Sequence, residues 1–199
     1  MAPPVVLASA SAARQHMLAA AGVAFSVVPA AVDEDRLKAD GRAAGRSSDA
    51  IVRALARAKA AAVAASQPDA LVIGADQVLD LDGTLFSKAA DRADARHQLE
   101  QLRGRSHTLI SAVAVMHGGH LAWEAADTAT LSVRAFTHDF LDAYLAWHGD
   151  ETLTTVGCYR LEGLGVQLFE RIDGDHFTIL GLPLLPLLGY LRTQGVLIT

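Results

Sequence analysis

Asp76 follows Leu71-Val72-Ile73-Gly74-Ala75, a short apolar run rich in β-branched residues and the pattern of a strand buried on both faces. Ligands of open α/β sheets bind outside the carboxyl ends of strands, so a carboxylate ending such a strand can act as a catalytic acid or base, or as a metal ligand. Gly74 and Ala75 have almost no side chain and let another backbone or a ligand come close. The simpler alternative is an Asp that only opens a turn. A second group lies near the start. Ser9-Ala10-Ser11 joins an apolar strand pattern, Val5 to Ser9, to a helix pattern from about Ala12 to Ala21, with Arg14 in its first turn. Exposed turn amides, the positive end of a helix dipole and a guanidinium together make a phosphate site. The alternative is a routine Ser11 cap with a solvated Arg14. Val32-Asp33-Glu34-Asp35 is a run of acids, ordinarily a solvated loop. It gains chemical meaning if one member converges with Asp76 on a divalent cation, which takes hard oxygen ligands.

These residues need elements to hold them. A second strand is expected over Ala24 to Val28. Lys38 to Ser48, polar and carrying Gly41 and Gly45, reads as a mobile loop. Ser47 or Ser48 then caps a helix with Ile51, Leu55 and Ala58 to Ala62 as its apolar stripe, ending by Pro68. Arg53, Arg57 and Lys59 lie on that helix, where cations usually face water. The strand to Asp76 comes next, then a hairpin over Leu79 to Phe86 turning at Asp82-Gly83, with Lys88 just beyond it. Asp91 starts a helix to about Leu102, closed by Gly104. Arg105 to Met116 and Leu121 to Arg134 form a long antiparallel hairpin. Thr137 caps a helix from about His138 to His148. Thr154 to Leu161 is a strand or extended loop, Glu162-Gly163-Leu164-Gly165 a glycine-bearing loop around a carboxylate, Val166 to Ile172 a strand and Phe177 to Leu180 a short strand. Pro183 sits near the first position of a last helix. His107 is expected to make a structural hydrogen bond.

The 199 residues suggest a single domain over 1–199, or one domain with two lobes. Hydrophobic residues at 51% and charged residues at 20% fit a globular protein with a core. A formal net charge of −5 disfavours nucleic acid, so an anionic substrate must meet locally grouped Lys and Arg or a metal ion. The single Cys158 allows no internal disulfide and reads as a small buried residue. No secretion signal or bilayer-spanning stretch is evident, which predicts a cytoplasmic protein with no membrane partner.

The pieces, in order, resemble the Maf family of nucleoside triphosphate pyrophosphatases, also called septum formation inhibitor-like proteins. They are Leu7-Ala8-Ser9-Ala10-Ser11 with Arg14, Val32-Asp33-Glu34, Ala58-Lys59-Ala60, Gly74-Ala75-Asp76 and Lys88 ahead of a helix. Gly104-Arg105-Ser106-His107, Glu162-Gly163-Leu164-Gly165 and Gly181-Leu182-Pro183-Leu184 follow. The resemblance runs from Leu7 to about Leu191. It implies an α/β fold of the Maf and inosine triphosphatase-like kind, with a mixed, elongated, bent sheet flanked by helices and a central cleft between two lobes. It implies metal-dependent hydrolysis, with Mg2+ or Mn2+, of a nucleoside triphosphate between its α and β phosphates. Such an activity would serve nucleotide metabolism, including house-cleaning of non-standard nucleotides. Asp76 takes the role of proton acceptor, Ser9, Arg14, Lys59 and Lys88 line the phosphates, and Glu34 and Asp76 stand on the metal side. A homodimer is compatible with the resemblance. So is a different class of function, a non-catalytic or weakly active regulator of cell division.

Three positions bear on the base. Gln77 and Glu162 together resemble the branch that acts on 7-methyl-GTP. That branch carries a Trp at the place of Ala13, where an aromatic could stack on a cationic methylated base. Ala13 cannot, so a guanine-type or otherwise modified purine is expected without commitment to the methyl group. Ala12, Ala13, Ala89 and Thr155 depart from the family pattern, and Thr155 replaces a positively charged Lys.

Overall fold

The computed structural model describes residues 2–198. Apolar residues at alternating positions decide the architecture. Val5 and Leu7 of β1 (Val5–Leu7), with Leu71, Ile73 and Ala75 of β3 (Leu71–Leu81), face one layer of helix. That layer is α1 (Ala12–Ala20) and α7 (Leu184–Thr193), which contribute Met17, Leu18, Leu184, Leu187 and Leu191. Val6, Ala8 and Val72 point the other way, onto Val63 and Ala64 of α3 (Ser48–Ala64). A sheet covered on both faces explains why these strands read as continuous apolar runs.

Seven strands pair in the order β2-β1-β3-β5-β6-β7, with β4 also on β3. β2 (Ser26–Val27) and β3 flank β1 in parallel, with Leu7 opposite both Val27 and Ile73. β4 (Thr84–Phe86) pairs antiparallel with β3, and β7 (Phe169–Asp173) antiparallel with β6 (His120–Val133), so the sheet is mixed. β5 (Ser106–His117) and β6 form the expected long hairpin across Gly118-Gly119. Among the described residues the helices are completed by α2 (Glu34–Ala43), α4 (Arg92–Leu102), α5 (His138–His148) and α6 (His176–Ile179). None is long and apolar enough to cross a membrane.

The chain divides into two compact units. One takes Met1–Gln77, Ile110–Thr128 and Asp175–Thr199; the other takes Val78–Leu109 and Ala129–Gly174. The core of the second unit is aromatic and aliphatic, with Leu99, Leu102, Leu109, Leu131, Phe136, Tyr144 and Leu168 all essentially inaccessible.

Four expectations need correction. The strand through Asp76 does not end there: β3 runs on to Leu81, and its later residues form one side of the predicted hairpin. The parallel neighbour β1 is the strand that stops, at Leu7, so the sheet opens beside Asp76 in mid-strand. The end of the acid run and the first half of the supposed mobile loop form α2, and only residues 44–47 remain a short connection to α3. Asp33 caps α2 by accepting from the Arg36 amide, and Glu34 and Asp35 lie in its first turn, where the helix dipole favours them. Gly41 is a packing residue there, since a Cβ would lie 2.7 Å from Ile51 Cγ1. Phe177 to Leu180 is no strand: Asp175 accepts from the Phe177 and Thr178 amides and starts the single-turn helix α6. Val166 to Ile172 is a strand only from Phe169, after a 3-10 turn at Leu164–Leu168, while Thr154 to Leu161 takes the loop alternative, with a single bridge at Val156.

His107 has the structural role expected. It is buried, and its Nε2 lies 2.6 Å from Tyr159 Oη. Burial pushes its pKa from 6.5 down to about 4. Between those values the unfolded chain holds a proton that the fold does not, so stability is full above about pH 6.5 and falls as pH drops toward 4. The expected loss over that window is on the order of 3 kcal/mol. Denaturant midpoints across the window check it, and His107→Gln should flatten the dependence.

Candidate active site

Five sequence-predicted residues, drawn from separate segments of the first unit, form one network. Ser9 follows β1, whose register continues through the Ala8 amide, donating to the Ile73 carbonyl at 2.8 Å. Ser9 Oγ accepts from the Ser11 amide at 3.3 Å and from Arg14 Nη1 at 3.2 Å. With those lone pairs committed, its O–H proton can be given to an incoming anion. Ser11 does cap α1, accepting from the Arg14 amide, but Arg14 is not solvated. Its side chain is buried, and Nε donates to the Gly181 carbonyl at 2.8 Å. Burial lowers the Arg14 pKa, an effect opposed by the nearby Asp76 and Glu34 carboxylates.

Lys59 also departs from the usual solvent-facing position of a helical cation. It is only 8% exposed, and its Nζ lies 2.7 Å from Glu34 Oε1 and 3.2 Å from Asp76 Oδ2. Backbone packing makes this reach possible. Gly74 and Asp76 are two apart in β3 and share the face toward α3. A Cβ on Gly74 would fall 2.3 Å from the Ala56 carbonyl oxygen and 2.5 Å from the Ala60 nitrogen, so only glycine lets α3 lie this close.

Asp76 is 6% exposed. Oδ1 accepts from the Gln77 amide at 2.8 Å. Oδ2 has Lys59 Nζ in Coulomb contact but, among the described residues, receives no aligned hydrogen bond. A buried carboxylate oxygen with an uncommitted lone pair can accept a proton or bind a cation. Glu34, 42% exposed at its side chain, reaches the same ammonium from the start of α2. No group of three or more His, Cys, Asp or Glu side chains able to hold a metal ion occurs among the described residues. Two carboxylates on a shared cation still match the way Mg2+ is commonly held, by one or two carboxylates together with substrate phosphates and water.

Gln77 turns to the other face of β3. Its Nε2 lies 3.0 Å from Ser111 Oγ, 3.1 Å from the Thr178 carbonyl and 2.9 Å from the Ile179 carbonyl. Ala13 is half-buried in the first turn of α1. The second unit carries the remaining candidates. Lys88 is exposed just after β4, at an antiparallel bridge to Val156. Glu162 is exposed, with Oε1 3.3 Å from Arg160 Nη2, and lines a concavity with His148, Glu151, Arg160 and Gly163. Burial pushes the Cys158 thiol up to about 12, which keeps it an inert buried residue.

Sequence reasoning did not find the Gly181 carbonyl or the Ser111–Thr178 pair. Gly181 was visible as part of Gly-Leu-Pro, but nothing local links a main-chain oxygen to an arginine 167 positions earlier.

Comparison with known proteins gives a consistent result. The family model described as Maf-like protein matches residues 4–194. A nucleoside triphosphate pyrophosphatase of Granulibacter bethesdensis is 49% identical over 193 residues, covering 97% of this chain and 98% of the relative. One from Caulobacter vibrioides is 50% identical over 194 residues, covering 98% and 97%. A 7-methyl-GTP pyrophosphatase of Rhizobium etli is 45% identical over 197 residues, covering 99% of each.

The ion-pair network can be tested without any substrate. Lys59→Met leaves the buried Asp76 carboxylate against an apolar side chain and should lower stability by roughly 3–5 kcal/mol. Adding Asp76→Asn should restore part of that loss. A double-mutant cycle by chemical denaturation measures both.

Proposed function

The chain belongs to the family of Maf-like proteins, and we propose that it hydrolyses nucleoside triphosphates at the α–β anhydride, releasing a nucleoside monophosphate and pyrophosphate. The observation that carries the reading is the grouping of the buried Arg14, Lys59 and Asp76 with the partly exposed Glu34. It brings two cations suited to phosphate together with a carboxylate whose Oδ2 accepts no aligned hydrogen bond among the described residues.

The residues divide the work by chemistry. The Ser9 hydroxyl, the amides at the start of α1, and the Arg14 guanidinium bind phosphate oxygens, with the guanidinium suited to two at once. Lys88 is assigned to phosphate binding by the family resemblance alone. Lys59 holds the carboxylates apart and supplies positive charge where negative charge builds up in the transition state. Asp76 Oδ2 takes the proton of the attacking water as its oxygen bonds to phosphorus and the bridging P–O bond breaks. The leaving pyrophosphate carries away the bond's electron pair.

Charge balance supports a role for a divalent cation. Phosphates that draw Arg14 and Lys59 loosen the contact of Lys59 with the Asp76 and Glu34 carboxylates, which are then open to a harder cation. Mg2+ or Mn2+ held there would neutralise phosphate oxygens and lower the barrier to attack. The same reading places the enzyme in the cytoplasm, acting on free nucleotides.

For the base, we place selection on Glu162. A carboxylate only accepts hydrogen bonds, and guanine offers two adjacent donors, N1–H and the 2-amino group. Arg160 contacts Oε1 and orients the group at the rim of its concavity. Ala13 offers no aromatic face to a methylated base, which favours guanine-type substrates as a class over 7-methyl-GTP in particular.

The deciding assay incubates the purified protein with a panel of common and modified nucleoside triphosphates and Mg2+, and scores monophosphate, pyrophosphate and orthophosphate. Pyrophosphate should appear, and chelation should stop it; orthophosphate alone would defeat the assignment. Asp76→Asn should abolish turnover with the fold intact by circular dichroism, since the amide keeps the shape but is a far weaker base. Glu162→Gln should erode the preference for GTP-like substrates over UTP and dTTP by a factor on the order of ten, the scale of losing a bidentate charged contact. A wild-type preference for UTP or dTTP would overturn the Glu162 reading alone.

A further inference from the structure

Arg160 and Glu162 stand on one tightly closed turn of the second unit. Its entrance is anchored in the core. Tyr144 Oη donates to the Cys158 carbonyl at 3.0 Å, and Thr155 Oγ1 donates to the Tyr159 carbonyl at 2.9 Å. Tyr159 is buried, with its Oη 2.6 Å from His107 Nε2. The turn then folds back on Arg160. The Gly163 amide donates to the Arg160 carbonyl at 3.3 Å, and a Cβ on Gly165 would fall 2.5 Å from that same oxygen. The backbone is fixed, while both polar side chains line the concavity they share with His148, Glu151 and Gly163.

The ion pair on this turn is unsaturated. Glu162 Oε1 lies 3.4 Å from Arg160 Nε and 3.3 Å from Nη2. Charge-assisted bonds of this kind run at about 2.7–2.9 Å, so the pair is loosely made. Arg160 Nη1 is 4.0 Å from Glu151 Oε2, beyond hydrogen-bond reach. Among the described residues neither Nη1 nor Glu162 Oε2 has a hydrogen-bond partner. The turn therefore carries, side by side, an uncommitted N–H donor and an uncommitted carboxylate oxygen.

A base calls for both. The pairing edge of guanine presents O6, N1–H and the 2-amino group in a row: acceptor, donor, donor. A carboxylate that takes the two donors leaves O6 without a partner, and an acceptor stripped of water and left unpaired is costly. A guanidinium beside the carboxylate fills that place, as arginine does at guanine O6 in DNA recognition. Uracil shows acceptor, donor, acceptor, so it suits Arg160 as well as guanine does and fails only at Glu162. Adenine and cytosine carry an amino group in place of the oxo group and offer the guanidinium no acceptor there.

We infer that Arg160 is a specificity-determining residue: its guanidinium donates to the oxo group of the base, O6 of guanine, beside the Glu162 carboxylate. This rests on the proposed reading of Glu162 and divides the labour within it. Arg160 reads oxo against amino, and Glu162 reads the 2-position.

Two analogues separate these roles. In 6-thio-GTP sulfur, a much weaker acceptor, replaces O6; ITP lacks only the 2-amino group. For the wild type, kcat/KM should favour GTP over 6-thio-GTP about tenfold, the scale of one good contact to a base. Arg160→Met should bring that ratio near one, and Arg160→Lys should recover part of it. Glu162→Gln should keep it while lowering the ratio of GTP to ITP. Arg160 is exposed, so its replacement leaves the fold intact by circular dichroism. A GTP to 6-thio-GTP ratio near one in the wild type, or one unchanged in Arg160→Met, would overturn the inference. So would a loss in Glu162→Gln as complete as in Arg160→Met, which would make Arg160 a prop for Glu162. Equal rates for GTP and ITP in the wild type would remove the Glu162 reading, with the sulfur comparison still deciding the role of Arg160. If no triphosphate is hydrolysed, the pyrophosphatase reading falls, and the affinities of GMP and 6-thio-GMP by titration calorimetry apply the same test to Arg160.

Discussion

The missing side chain at Gly74 is the constraint on which the site depends. Any Cβ there would sit inside the van der Waals radius of α3 backbone atoms, so α3 lies against β3 only because that atom is absent. The contact sets the separation between helix and strand, and through it the reach of Lys59. Asp76 is two residues further along the same face of β3, and the ammonium meets it at 3.2 Å. A helix pushed outward by even one methyl group would lengthen that contact and admit water to it. Val63 and Ala64 of α3, packed on Val6, Ala8 and Val72, hold the helix down from its other end. The polar site is thus held in place by an apolar seam.

A protein of net charge −5 can receive a polyanion if the relevant charges are local and buried. Arg14 and Lys59 are each 8% exposed, and neither would be stable there alone. Asp76 and Glu34 compensate them, while burial still pulls the Arg14 pKa downward. Such an arrangement adds little net stability, because desolvation consumes most of the Coulomb gain. What it supplies is pre-orientation. The cations are already placed, and the exchange of a carboxylate partner for a phosphate oxygen needs little rearrangement of either side chain.

Much of this was legible because it was local. Apolar runs ending in Ser9 and leading into Asp76, the Ser11 cap with Arg14 one turn along, and the Asp82-Gly83 turn all carry their signals within a few residues. The misreadings arose where tertiary contact gave a residue a different purpose. Gly41 looked like a loop glycine and is in fact the point where α2 meets Ile51. The acids of Val32 to Asp35 looked like a solvated loop, although Asp33 at a helix start, followed by two acids in the first turn, is also a good N-terminal signal. Asp76 seemed to end a strand because a carboxylate interrupts an apolar run, yet β3 continues as a pairing partner for β4. The Arg14–Gly181 contact had no local signature at all, since one partner is a main-chain oxygen.

That last contact ties a late segment of the chain to the site. The predicted site residues of the first unit all occur by Gln77, but the segment from Asp175 onward returns to the same unit. Leu182, Leu184, Leu187 and Leu191 complete the apolar cluster around Leu7, Leu71 and Ile73. The residues just before them form the turn that receives Arg14. Burying the leucines of α7 therefore fixes the Gly181 carbonyl relative to β1, and hence relative to Ser9 at its end. A guanidinium set between Ser9 Oγ and the Gly181 carbonyl is held by both ends of the chain at once. Its geometry is decided by the packing of the terminal helix as much as by the loop from which it springs.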